Sequence, residues 1–234
     1  MTVCKPPWPG PHNLRMIDIW LVRHGETDWN RELRFQGHLD APLNALGLQQ
    51  AERLAHHWAG HAPRALVASD LLRTRQTAQP LGAHWQKAAE PDALWREQSF
   101  GVIEGLTLAQ VQENHPDVVS GWRSHDPDFA PAGGESRRQF HARVMQAVQS
   151  LLLRCEKEAW SSPVVVSHGG VLDMIYRSAT GQALGGPREC VIPNAGLNHV
   201  RTDGECFEIV AWAQTDHLVG LPPSAVYPLA ASKA

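Results

Sequence analysis

Two apolar runs in this chain end on the same dipeptide. Residues 17–22, Ile-Asp-Ile-Trp-Leu-Val, run into Arg23-His24-Gly25, and Val164-Val165-Val166-Ser167 runs into His168-Gly169-Gly170. Short apolar runs closed by glycine read as buried strands. In an open α/β sheet, ligands bind outside the carboxyl ends of the strands. One histidine at such an end is more often structural. Two, each ending a strand, are hard to assign to chance, and both imidazoles are expected in one crevice.

Further strand-like runs lie at 65–69, 197–201 and 207–212, with a weaker one at 84–88. Between them run helical patterns. Leu48, Ala51, Leu54, Ala55 and Trp58 share one face, as do Phe140, Val144, Val148, Leu151 and Leu152. A shorter helix is expected after Ser69 and another after His168. This alternation predicts an α/β fold with three layers, α/β/α, around a mainly parallel sheet. The last two runs are close in sequence and are expected to give an antiparallel strand at one edge.

The 234 residues divide into a proline-rich extension (1–15), a single domain (16–217) and a coil tail (218–234). Met16, just before the first strand, is an alternative starting methionine. Residues 102–134 hold three prolines and one short helical piece near 106–114. They read as an excursion over the ligand edge of the sheet.

The net charge of −3 offers no field for nucleic acid or an anionic membrane, so an anionic substrate needs local cations. No run approaches the ~20 apolar residues of a membrane helix. The four cysteines form no Cys-x-x-Cys pair and read as reduced thiols of a cytoplasmic protein.

Residues 69–75, Ser-Asp-Leu-Leu-Arg-Thr-Arg, begin where the second strand ends. Arg73 falls in the first turn of a helix, where a cation opposes the helix dipole. That placement suggests an anion to meet. Arg75 points about 200° away around the helix and is expected to be solvated. Glu97-Gln98-Ser99-Phe100-Gly101, followed by Glu104-Gly105, offers one carboxyl that would complete an acid–base set with the imidazoles. An imidazole can act as nucleophile, and a guanidinium is the natural partner of a phosphate. His56, His57, His115, His125, His141 and His217 have no identifiable partner in sequence. Arg137 and Arg138 sit at a helix start and read as exposed.

From Met16 to His217 these elements together resemble the histidine phosphatase superfamily, which includes cofactor-dependent phosphoglycerate mutases. The resemblance rests on residues 23–30, on residues 36–47 (Gln36 to Gly47), and on residues 69–78 (Ser69 to Ala78). It also rests on Glu97-x-x-Phe100-Gly101, Gly133-Gly134-Glu135-Ser136 and residues 165–171, which occur in the family's order. It implies a phosphoglycerate mutase-like fold. It implies that His24 is the nucleophile that becomes phosphohistidine, with Arg23, Arg73 and His168 around the transferring group. Asn30 and the Gly169 backbone match positions that help hold that group. Gln36 and Gly37 match the substrate side, and Glu97 matches the proton donor. No metal and no cofactor are implied. The implied partner is a small phosphorylated substrate, with no nucleic acid or membrane, on a monomer or homodimer.

The physics agrees with these roles. Phosphoryl transfer spreads charge over equatorial oxygens, so fixed donors do most of the work. His24 must offer a lone pair, and its other nitrogen needs an acceptor to fix the tautomer. His168 would donate best when protonated. Glu97 must be protonated to release an alkoxide, then ionised to activate water.

Three functions follow: a phosphomonoester hydrolase of the histidine acid phosphatase type, a cofactor-dependent phosphoglycerate mutase, and an inactive phospho-ligand binding module. The mutases typically read Glu-Arg-His-Tyr-Gly where this chain reads Glu97-Gln98-Ser99-Phe100-Gly101, and they carry an Arg-Arg pair in a longer excursion. The missing cations favour hydrolysis. The presence of His24, His168 and Glu97 disfavours the inactive module. Specificity is expected in 102–134 and in the loop at 36–42.

Overall fold

The computed structural model describes residues 15–58, 63 and 65–224. In chain order the elements are β1 (Ile17–Arg23), α1 (Asp28–Arg31), α2 (Ala45–His57), β2 (Leu66–Ala68), α3 (Leu72–Trp85), β3 (Glu90–Pro91), α4 (Leu108–Asn114), α5 (Pro116–Arg123), α6 (Arg137–Lys157), β4 (Val164–Ser167), α7 (Gly169–Thr180), β5 (Leu197–Thr202) and β6 (Phe207–Gln214). Six strands make one sheet in the order β3-β2-β4-β1-β5-β6. β1, β2, β3 and β4 run parallel, while β5 runs antiparallel to both β1 and β6. The antiparallel pair thus closes one edge of a mainly parallel sheet.

Alternating residues of each central strand feed opposite cores. Leu21 and Val165 pack with Phe140, Val144, Val148 and Leu172 beneath α6 and α7. Val22, Val164 and Val166 pack with Leu54, Ala55, Ala78 and Leu81 beneath α2 and α3. These are the two outer layers. Full burial of such side chains contributes about 1.5–3 kcal/mol each.

The helices start where the sequence supplies caps. Asn44 accepts from Gly47 N at 2.9 Å to open α2. Ser136 and Gln139 form a reciprocal capping box on α6. α3 has no side-chain cap from its own N-cap residue. Asp40, from the loop between α1 and α2, accepts from Leu72 N instead.

Several details differ from the sequence reading. Residues 84–85 finish α3, and the edge strand is the short β3 at Glu90–Pro91. α3 runs on because its apolar face, Ala78 and Leu81, is buried against the sheet. Leu48 is 48% exposed. It lies about 120° around α2 from Leu54, the centre of the buried face. The excursion holds two helices, with Pro116 opening α5, where its missing N–H costs nothing. Ile103, Val111 and Val118 give it a small core of its own, packed with Phe35, Phe100 and Trp122.

Of the expected extension, only Arg15 lies among the described residues, and the tail is described to Ser224. Cys155 and Cys190 are free. Burial pushes their thiols up, to about 11 and about 12. Cys206 is disulfide-bonded, which corrects the expectation of four reduced thiols. Among the described residues, no helix is long and apolar enough to cross a membrane.

Candidate active site

The parallel pairing of β1 with β4 aligns Arg23 with Ser167. The ladder continues one step further, with His24 N donating to Ser167 O at 2.9 Å. The next residues of the two strands, His24 and His168, therefore stand side by side. Their rings are 5.3 Å apart and meet edge to face. His24 is 3% exposed and His168 is fully buried.

Each ring is fixed by one hydrogen bond. His24 Nδ1 lies 2.7 Å from Gly25 O. A carbonyl can only accept, so Nδ1 carries the proton and Nε2 keeps its lone pair. Burial, then the charges of Arg73 and Arg23, hold the His24 imidazole well below the usual histidine range. It is neutral at physiological pH. His168 Nε2 lies 2.9 Å from Ser69 Oγ, while its buried Nδ1 has no partner. When Ser69 donates, Nδ1 bears the proton and is left to serve a ligand. Burial and the charge of Arg73 keep His168 well below the usual range too. His168 would donate best when protonated, but with Nε2 on Ser69 it also donates from Nδ1 as a neutral imidazole.

Arg23 and Arg73 bring the positive charge. Arg23 Nη1 donates to Ile192 O at 2.6 Å. Arg73, the second residue of α3, is fully buried. Its Nη2 donates to Gly37 O at 2.8 Å and its Nη1 to Leu39 O at 2.9 Å. Burial lowers the guanidinium to about 10, and Glu97, Asp40 and Glu104 oppose that shift. It remains a cation. Gly37 has a φ of +50°, and a Cβ there would collide with Glu104 Oε1, so glycine suits it on both counts.

Glu97 is held from several sides. Gly170 N, in the first turn of α7, donates to its Oε2 at 3.0 Å, and Gln98 N donates to its Oε1 at 2.9 Å. Its own carbonyl accepts from Arg143 Nη2 and from His38 Nε2, both at 2.9 Å. Asn30 Oδ1 is occupied by Thr27 and by Asn194 Nδ2, leaving its N–H groups as the part that can meet a ligand.

Arg23, His24, Asn30, Gln36, Arg73, Glu97 and Gly169 all line one cavity of about 720 Å³. His168 lies against it through the His24 ring, and Gly37 enters through its carbonyl on Arg73. The residues that the resemblance assigns to the site thus gather around the carboxyl ends of β1, β2 and β4. Residues 218–224 form one wall of the cavity, and Ser224 Oγ accepts from Gln50 Nε2 at 2.7 Å. A second chamber of about 380 Å³ shares Phe35, Glu97, Phe100 and Arg137 with the first.

Some residues here carried no warning in sequence. Asn194 donates to His24 O at 3.0 Å from a loop without periodicity. Arg143 reaches the site from the middle of α6. His38 stood inside a quoted run without being singled out. Arg137 is half-buried and lines both chambers, against the expectation of exposure, because α6 starts at the crevice. Arg138 is exposed and paired with Asp128. His141 bonds Ser178 Oγ and His217 bonds Ala195 O, which are structural roles. Among the described residues, no cluster of three or more His, Cys, Asp or Glu could hold a metal ion.

Comparison with known proteins agrees with this geometry. The family model for the histidine phosphatase superfamily (branch 1) matches residues 19–215. The chain is 35% identical over 205 residues to phosphoglycerate mutase-like protein 4 of Arabidopsis thaliana, covering 86% of each. It is 33% identical over 208 residues to a metal-independent phosphoserine phosphatase of the same plant, covering 87% of this chain and 84% of the relative. The native structure of a mycobacterial glucosyl-3-phosphoglycerate phosphatase superposes with a TM-score of 0.71 at 29% identity, covering 86% of this chain and all of that one. With paired strand-end histidines, a buried arginine at a helix start and a family match across nearly its whole folded length, the chain belongs to the histidine phosphatase superfamily, branch 1.

Proposed function

We propose that this chain is a phosphomonoester hydrolase that passes the phosphoryl group to His24 and then to water. The setting of His24 carries the reading. Its Nδ1 is tied to Gly25 O, its ring is held neutral, and it lines the cavity with both arginines. In the first step the Nε2 lone pair forms an N–P bond as the ester P–O bond breaks. Glu97 gives its proton to the departing oxygen. In the second step water attacks phosphorus, the N–P bond breaks, and Glu97 takes up the water's proton. Arg23, Arg73, the Nδ1–H of His168 and the backbone N–H of Gly169 serve the equatorial oxygens. They are fixed before the reaction, so they need no rearrangement as charge shifts.

A phosphoglycerate mutase is the second reading, favoured by two arginines in the cavity wall, Arg137 and Arg188. Hydrolysis ranks first. Gln98 and Phe100 replace the mutases' grip: Gln98 Nε2 is spent on Glu135 O, and Phe100 packs on Phe35. The second chamber also shares lining residues with the cavity, and room beside the site favours departure of an intermediate before it turns.

A screen of phosphorylated metabolites without added metal tests this, scoring released phosphate and isomerised 3-phosphoglycerate in parallel. Hydrolysis is expected to dominate. Interconversion of 3- and 2-phosphoglycerate, primed with 2,3-bisphosphoglycerate, that outruns hydrolysis of every monoester would reverse the ranking.

A further inference from the structure

Two motifs of the sequence take no part in the transfer step: residues 133–136, Gly-Gly-Glu-Ser, and the Phe100-Gly101 pair that follows Glu97. They meet in the structure. A Cβ on Gly101 would collide with Ala132 O, and one on Gly134 would lie 2.8 Å from Ser99 O. The two turns therefore lie backbone against backbone. Glu135 N donates to Ser99 O, and Ser99 N donates to Glu135 Oε2, both at 2.9 Å. Ser136 then caps α6, and about two turns along that helix stands Arg143.

Arg143 spends its whole fork on one place. Its Nε and Nη2 donate to Oε1 and Oε2 of Glu135 at 2.8 and 2.6 Å. Nη1 donates to Leu94 O and Arg96 O, and Nη2 also donates to Glu97 O, each at 2.9 Å. Residues 96–100 belong to no helix or strand, so their backbone groups lack the partners that a ladder supplies. One guanidinium stands in for that ladder, with a planar fork that the point charge of lysine lacks. The Glu97 carboxyl accepts from Gln98 N and Gly170 N. Gln98 rides on the same segment and cannot fix the carboxyl relative to His24. Gly170 N gives a single bond across to α7. The place of the carboxyl therefore depends on where residues 94–99 are held.

We propose that Glu135 and Arg143 are positioning residues that act on phosphoryl transfer through Glu97: their ion pair sets the general acid against the leaving oxygen, and the Gly-Gly-Glu-Ser turn builds that pair. The role of Glu97 itself rests on the hydrolase reading. A pair that served the fold alone would lower stability and slow every substrate alike. A pair that acts through the acid must slow those substrates most whose leaving groups need the proton.

The test measures single-turnover phosphorylation of the protein by 4-nitrophenyl phosphate, whose leaving group needs little protonation, and by glycerol 3-phosphate, whose leaving group needs it. Glu135→Gln keeps an oxygen for Ser99 N and loses the charged fork. A misplacement of about 1 Å can cost about 100-fold in rate, so this variant should slow the alkyl ester by roughly 10- to 100-fold and the aryl ester by under about threefold. Arg143→Lys, which keeps charge without the fork, should show the same selective loss. Added to Glu97→Gln, Glu135→Gln should cost nothing more, because the pair acts through the residue already removed. Thermal melting checks the fold. Equal losses on both esters, or a further loss in the double variant, overturn the proposal. Deuterium exchange at Gly170 N–H supplies a readout without turnover. An N–H in the first turn of a helix has no intrahelical partner, and Glu97 Oε2 is its acceptor here. Glu135→Gln should speed that exchange at least about fivefold more than it speeds exchange in β4. Unchanged protection of Gly170 overturns the proposal. Selective loss of that protection in a chain that neither ester phosphorylates supports it, while the hydrolase reading alone falls.

Discussion

Glu97 hangs from the first turn of α7: Gly170 N donates to its Oε2 at 3.0 Å, and a Cβ on Gly170 would collide with its Oε1. The proton donor and the helix behind His168 are thus one construction. Gly170→Ala is expected to push the carboxyl aside while leaving His24 and the arginines in place. General acids contribute roughly 10²–10⁴-fold, so alkyl phosphates should lose most of that. Aryl phosphates, whose leaving groups need less protonation, should lose less. Single-turnover phosphorylation of Gly170→Ala and Glu97→Gln with both substrates checks this. Equal losses would show that Glu97 does not protonate the leaving group.

His24→Ala should abolish turnover and leave thermal melting close to wild type, since the ring's one hydrogen bond is to its own neighbour Gly25. Rapid quench with labelled substrate should trap an acid-labile, base-stable phosphoprotein in wild type and none in the variant. Label recovered on His168 would overturn the assignment.

Arg73 joins charge to architecture. Arg73→Gln removes the cation and breaks the fork that holds Gly37 O and Leu39 O. Leaving these acceptors short of a donor should cost about 2–4 kcal/mol of stability, with turnover falling at least 100-fold. Arg73→Lys keeps the charge but not the fork and should recover stability more than activity. Urea unfolding and kcat/KM, measured side by side, decide it.

Burial holds His24 and His168 below their unfolded value of about 6.5. Just below that pH the unfolded chain binds protons that the folded chain refuses. Stability from these groups is therefore full above about pH 6.5 and is lost as pH falls below it. The urea midpoint should drop on acidification from pH 7 to 5, and His168→Asn should flatten the drop. A midpoint that rises toward pH 5 would contradict the neutral pair.

The sequence showed what local pattern can show. The strands ending in His24 and His168, the helix start at Arg73 and the run at Glu97 are contiguous signals, and each residue lies at the crevice or against it. What escaped depends on distant folding. Asn194 bonds His24 O across 170 positions, and no periodicity marks a loop residue for that. Arg137 read as exposed because the same helix start gives Arg138 to solvent. Which of two adjacent arginines turns inward depends on where α6 docks. Residues 84–88 misled because they carry only Trp85 and Ala88 as apolar residues, at the point where α3 ends and the chain turns to the edge strand.

The gap between the two imidazoles is set by main-chain hydrogen bonds, through the pairing of Arg23 with Ser167 and the bond from His24 N to Ser167 O. The chamber walls come from elsewhere: the excursion, the 183–188 loop and residues 218–224. Reactivity and selectivity are therefore separable for an engineer. A library randomised in the walls would shop among leaving groups while the main-chain pairing that sets the reactive pair side by side stays untouched.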